Sequence, residues 1–322
     1  MLPSTNILNP SRSSLSRIFV RWLNNGLPEF MLILVAAIWG GSYCATKLAT
    51  HELPVLVFLS VRFGITFLLL SPALRPLYGM EWRRNLVVSL PSGVNLLLIF
   101  LAETFGVTLT SAANAAFLIS LCIAFTPIVE RVWFKKPIAN SIMVAVFVSV
   151  FGASLLSLNS ASTLSLGWGD GLILAAAILR AVMVCLIKRS SSYQRLPALT
   201  LTAVQAGVVA CGSFLILCFT SLSGSVSLPV IFMKLAYQGI NFWSEMGFLV
   251  VFCTIFAFFA QNYAASRTSP SRVALLMGSE PVFGAVFAVV WLGESVSYTG
   301  WIGGALIVGA TCVTSLLNSG RH

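Results

Sequence analysis

Residues 268–291 read TSPSRVALLMGSEPVFGAVFAVVW, and residues 110–133 read TSAANAAFLISLCIAFTPIVERVW. Laid over one another without a gap, a shift of 158 residues (268 − 110), they match at Thr110/Thr268, Ser111/Ser269, Ala116/Ala274, Leu118/Leu276, Phe125/Phe283, Val132/Val290 and Trp133/Trp291. Ala102 meets Ala260 at the same shift, and the offset falls to 143 (204 − 61) where Val61 meets Val204. The 220–245 connection is longer than its counterpart at 75–85, which accounts for the drift. The chain is written twice.

What is written is apolar. Of 322 residues 58% are hydrophobic and only 9% charged, where a soluble domain carries about 25% charged residues. A run of roughly 20 apolar residues is the length of a transmembrane helix. Ten such runs are expected, at about 29–50, 54–74, 86–104, 110–130, 141–158, 168–187, 198–219, 246–265, 270–292 and 298–317. Five spans per copy is an odd number, so the second copy must enter the membrane the other way up. The expected fold is an all-α polytopic membrane protein of ten helices in two inverted five-helix repeats, 29–160 and 161–317. A cytoplasmic tail (1–28) precedes them and a short tail (318–322) follows. Inverted repeats are the architecture of secondary transporters, with the site near the midplane between the halves.

The net charge of +10 reports topology and not a nucleic-acid partner. Loops on the N-terminal side carry Arg83-Arg84, Lys135-Lys136 and Lys188-Arg189, whereas the opposite loops hold only Lys234. That asymmetry places both termini in the cytoplasm, and the expected location is a bacterial inner membrane. Residues 1–28 are Arg- and Ser-rich with no acid, a composition shared by cytoplasmic tails and organelle targeting segments. The seven cysteines have no CxxC spacing and there are two histidines; neither metal nor cofactor is expected.

Several short motifs resemble the EamA-type permeases of the drug/metabolite transporter superfamily. Ile38-Trp39-Gly40-Gly41-Ser42, with Ala45-Thr46-Lys47, is similar to that family's first-helix signature. Arg62 falls where its second helix usually carries an arginine. Thr110-Ser111-Ala112 with Asn114 and Pro127 resembles its fourth helix, and Thr268-Ser269-Pro270 with Glu280-Pro281 and Gly293-Glu294 its ninth. The resemblance covers about 30–317 and implies ten helices and a small-molecule solute, in a monomer or homodimer. The first copy departs from the second, with Cys122-Ile123 in place of Glu280-Pro281.

Charges inside spans cost several kcal/mol unless they face water or a partner, so they mark candidate pathway residues. These are Arg62, Glu103, Arg180 and Glu280, together with Gln205 and Gln261, which are the repeat mates of Arg62 and Glu103. Trp39 and Tyr43, four apart on one helix face, are candidates for stacking on the solute. For Arg62 an internal ion pair stands beside solute contact, and Arg180 is near enough to a span end to snorkel. Pro281 has no N–H for the carbonyl of Met277, so Gly278-Ser279-Glu280-Pro281 is expected to kink its helix; Pro127 is the first-copy candidate. An apolar setting favours protonated Glu280 and a neighbouring arginine favours the ionised form. The first would couple transport to a proton gradient; the second would leave a charge that shapes the cavity.

Other classes fit less well. Gly167-Trp168-Gly169-Asp170 matches the GxGD string of intramembrane aspartyl proteases, but that chemistry needs two carboxylates and Asp170 is the only aspartate. No HExxH, GxSxG or P-loop string is present, so no catalytic residue is assigned. The mixed cationic, acidic and amide set points to an exporter of metabolites or amino-acid-like solutes by alternating access. A small-multidrug-type cation efflux carrier and a non-transporting membrane receptor are the alternatives.

Overall fold

A computed structural model describes residues 26–78, 82–110, 112–135, 137–157, 167–193, 196–222, 233–292 and 297–319. Residues 1–25 of the N-terminal tail lie outside them, and the first helix begins at Leu27, two residues ahead of the expected span start at 29. Every element among these is helical: α1 Leu27–Glu52, α2 Val55–Leu70, α3 Trp82–Leu109, α4 Ala112–Ser120, α5 Cys122–Phe134, α6 Asn140–Ser157 and α7 Trp168–Tyr193. There follow α8 Ala198–Leu222, α9 Ile240–Val250, a π-helical turn Val251–Phe256, α10 Ala257–Arg267, α11 Pro270–Met277, α12 Glu280–Leu292 and α13 Tyr298–Ser319. In hydrocarbon a backbone must satisfy its own polar groups, which a helix does within one segment. Leu68, Phe147, Phe219 and Val290 are all more than two-thirds exposed, a surface suited to lipid chains. This is a multi-pass membrane protein.

Among the described residues six stretches are long and apolar enough to cross a membrane: Val55–Arg75, Trp82–Leu109, Phe117–Phe134, Trp168–Ser192, Ala198–Leu222 and Ile240–Arg267. Leu27–Ser42, Asn140–Leu155 and Tyr298–Val313 are shorter apolar stretches. The expected 270–292 run is split, because the helix breaks at Gly278-Ser279 between α11 and α12. The first copy breaks too, at Leu121 between α4 and α5. Pro127 is not the cause, for it sits buried inside α5 with the helix continuing through it.

The two interruptions keep the offset of the sequence match (279 − 121 = 158). So do four helix starts: α3, α4, α5 and α6 begin at 82, 112, 122 and 140, and their counterparts begin at 240, 270, 280 and 298. Packing follows the same exchange. The α1–α10 contact answers to α7–α3, and α1–α12 to α7–α5, while α2 packs on its counterpart α8 and α6 on α13. The core between α1, α2, α3, α8 and α10 is built on Phe58, Phe63, Phe100, Val209 and Phe258.

Candidate functional site

Three helices converge on one guanidinium. Arg180 of α7 donates to Glu103 of α3 through Nε (3.2 Å) and Nη2 (2.9 Å to each carboxylate oxygen). Its Nη1 donates to Glu280 of α12 at 3.2 Å. The pairing with Glu103 is bidentate, the strong geometry for arginine and carboxylate, and the Arg180 bond to Glu280 is one-pronged and longer. Arg180 therefore does not snorkel: two acids on neighbouring helices compensate its charge in place. Two carboxylates and one guanidinium leave this cluster with one net negative charge when all are ionised.

The helix break is what brings Glu280 here. Glu280 is the first residue of α12, in the turn where a helix favours negative charge, and is 4% exposed. Gly278 has ordinary right-handed backbone angles, so it is not there for conformational freedom. It is there for space, since a Cβ at this position would lie 2.0 Å from Cδ1 of Ile123 in α5. The two interrupted helices thus touch at their breaks, Gly278 of one against Ile123 of the other.

Trp39 of α1 forms a wall beneath Arg180, whose Cζ stands 4.9 Å from the indole centroid. The indole N–H donates to the carbonyl of Cys253 at 2.9 Å. Cys253 and Thr254 both lie in the π-helical turn, an irregularity that often occurs at functional sites. Thr254 accepts a 2.9 Å hydrogen bond from Nε of Arg62 and donates to the carbonyl of Leu249. Arg62 makes no ion pair with a carboxylate among the described residues. Its guanidinium is instead packed by Phe58, Phe63 and Phe100, with Cζ 6.0, 5.4 and 5.2 Å from the ring centroids.

Between the arginines lies a small cavity of about 30 Å³, lined by Trp39, Arg62, Phe100, Glu103, Arg180 and Gln261 among others. A second, of about 20 Å³, lies on the far side of Arg180 against Cys122, Thr126, Gly278 and Glu280. Each has room for one or two waters, so the central site is closed to anything larger. Gln261 lines both; its Nε2 reaches Met277 Sδ at 3.6 Å and its buried Oε1 has no partner. A wide recess of about 960 Å³ opens elsewhere, bounded by Lys188, Ser190, Ser191, Tyr263, Arg267 and Asn262.

The structure thus brings together Trp39, Glu103, Arg180, Gln261 and Glu280, with Arg62 at the other end of the same cavity. Gln205 is not among them. It is fully buried and exchanges amide hydrogen bonds with Asn262 (2.8 and 3.4 Å), which also donates to Thr202. Tyr43 has no described side chain. Asp170 accepts from Thr110 and from the backbone N–H of Gly167, a local role at the start of α7. Two features had no signal in the sequence. The partners from the π-helical turn follow from helix geometry, and Glu130 accepts from the N–H and hydroxyl of Ser271 at the start of α11.

Comparison with known proteins agrees with this architecture. A solved structure described only as "Crystal structure of protein" superposes with a TM-score of 0.68 at 18% identity, covering 90% of this chain and 96% of the other. Two proteins of Archaeoglobus fulgidus, each described as an uncharacterized transporter, are 27% identical over 286 residues and 28% identical over 308. These alignments cover 88% and 90% of this chain and 84% and 98% of the relatives. The EamA-like transporter family model matches twice, over residues 26–158 and 167–316. Two tandem matches to one model, falling on the halves whose helices start 158 residues apart, make this membrane transporter a member of the EamA-like transporter family.

Proposed function

We propose that the protein is a secondary carrier that exports small metabolites or amino-acid-like solutes by alternating access between two inverted five-helix halves. One observation carries this reading: Arg180, from the second half, is bonded to Glu103 of the first half and to Glu280 of its own. Charge at membrane depth is costly and marks pathways, and carriers place their sites between repeats near the midplane. A bond that crosses the two halves changes its strength when they rock, and water-sized spaces on both sides of Arg180 give it room to move. The basic loops lie on the cytoplasmic side in this reading, and the wide recess at Lys188 and Arg267 opens there, which favours loading from inside. The termini are then cytoplasmic and the membrane a bacterial cell membrane. The cation-efflux alternative is weaker, because both carboxylates are already bonded to Arg180.

Purified protein in liposomes should exchange a metabolite, drawn from a broad labelled panel, without nucleotide. Flux that requires ATP, or no flux for any solute, would remove the carrier reading. Glu280→Gln in the same liposomes tests coupling. Gln keeps an acceptor for Nη1 of Arg180, so the variant should fold and still exchange solute; loss of its dependence on a pH gradient would give Glu280 a coupling role, and its retention would leave Glu280 as a charge that shapes the cavity. Full gradient-driven transport in the variant would refute the coupling role.

Orientation has its own test, in a cysteine-free background with single cysteines introduced at Ser191 and at Ser225 (the latter outside the described residues). An impermeant thiol reagent applied to intact cells should label Ser225→Cys and spare Ser191→Cys. The reverse pattern would overturn the orientation.

A further inference from the structure

The two charged ends of the central cavity are not equivalent. At one end both carboxylates are engaged by Arg180. At the other Arg62, 4% exposed, uses only Nε, on Thr254, and its η nitrogens make no hydrogen bond to any described residue. Phe58, Phe63 and Phe100 pack around the guanidinium. Such packing offsets part of the loss of water but provides no acceptor for the N–H fork. A buried guanidinium with donors to spare is the group that binds a planar oxyanion in two-pronged fashion.

What lies between the ends is aromatic. Phe100 packs on Phe258 with centroids 5.9 Å apart, and Phe258 on Trp39 at 5.4 Å, which carries the row to the face under Arg180. Gln261, 4% exposed, adds an unpartnered amide oxygen at the same cavity, an acceptor for one neutral donor. On the basic side the wide recess carries Lys188 and Arg267, both cationic, and four serines. Cations therefore line the recess and one end of the site, while the acids are already bonded.

Resting on the carrier reading above, we infer that the transported solute is an organic anion with a flat apolar body. Arg62 holds its oxyanion, and the row Phe100–Phe258–Trp39 receives the body. The closed cavity is far smaller than such a solute, so binding requires α1 and α2 to part from α3 and α10.

An anionic, a cationic and a zwitterionic probe, each with one phenyl ring, decide this without crossing the bilayer unaided. Benzenesulfonate, phenyltrimethylammonium and phenylalanine are compared for binding to full-length protein in detergent, then for uptake into liposomes. Benzenesulfonate should bind best. Arg62→Gln should weaken it roughly tenfold to a hundredfold, the size of a hydrogen bond to a charged group, and turn the preference toward phenyltrimethylammonium, since the acidic cluster then dominates. Arg62→Lys keeps the charge and should retain the sulfonate preference, which separates loss of the anchor from loss of the fold. Preference of the unaltered protein for the cation or the zwitterion, no binding of any probe, or unchanged sulfonate binding in Arg62→Gln would each overturn the assignment. Binding that depends on Arg62 without uptake of any solute would leave the site standing and remove the carrier reading. Uptake of the cation alone would do the opposite.

Discussion

Arg180→Gln is expected to reduce the folded protein in the membrane sharply and to abolish transport. The substitution leaves Glu103 and Glu280 facing one another in a closed site without the cation that both now contact. Removing one partner of a buried ion pair costs about 3–5 kcal/mol, because the remaining charge is left uncompensated. Replacing all the partners by neutral groups costs far less. The triple variant Glu103→Gln, Arg180→Gln, Glu280→Gln should therefore recover most of the lost thermal stability in detergent while remaining inactive in liposomes. Recovery of activity with stability would show that the cluster is only a structural tie. Arg180→Lys should fall between, keeping the charge but losing the bidentate grip on Glu103.

Gly40→Ala should be nearly as damaging, although it adds one methyl group. A Cβ there would lie 2.8 Å from the backbone nitrogen of Gly284, 2.9 Å from the carbonyl of Glu280 and 2.9 Å from Cβ of Phe283. None of these can swing aside, so α1 and α12 must separate and Glu280 must move with its helix. Overpacking of this kind costs about 1–3 kcal/mol, and transport should fall by a further factor if the Arg180–Glu280 bond is needed. The neighbouring glycines give the contrast. A Cβ on Gly41 would meet the Phe287 ring at 3.6 Å, and one on Gly284 would meet the Gly40 carbonyl at 3.4 Å. Gly41→Ala and Gly284→Ala should therefore keep more than half of wild-type uptake. Equal damage from all three would mean that the close approach of α1 to α12 is not what matters.

Hydropathy and the 158-residue match were enough to read an all-helical, duplicated membrane protein, because lipid burial demands long apolar runs and duplication leaves identities in register. The break at Gly278-Ser279 was legible from Pro281, whose missing N–H is a property of one residue. Its twin at Leu121 was not, since Ile123 stands where the second copy has proline and nothing local demands an interruption there. Charge placement was legible as a list and not as a map. Glu103, Glu280 and Gln261 do meet, yet Arg180 looked like a residue at a span end, and sequence cannot say which helices surround it. Gln205, as the mate of Arg62, is expected at the wall of the cavity; it bonds instead to Asn262, a residue with no mark of its own beyond following Gln261. The aromatic setting of Arg62 was invisible because phenylalanines in apolar helices carry no pattern that separates packing from function.

The position of Arg180 between two water-sized spaces bears on how tightly the resting protein seals the bilayer. A file of waters running through a carrier would let protons hop along it and short-circuit the membrane. Here any such file is interrupted at a fixed guanidinium, and a positive charge at the narrowest point of a pore turns back protons and other cations. The charge is held there from both sides, by Glu103 and by Glu280, so thermal drift toward one space is opposed by the acid bordering the other. Cells carrying the protein at high density, with no solute to move, should then keep their membrane potential, and an electrical leak should arise only when the arginine is displaced.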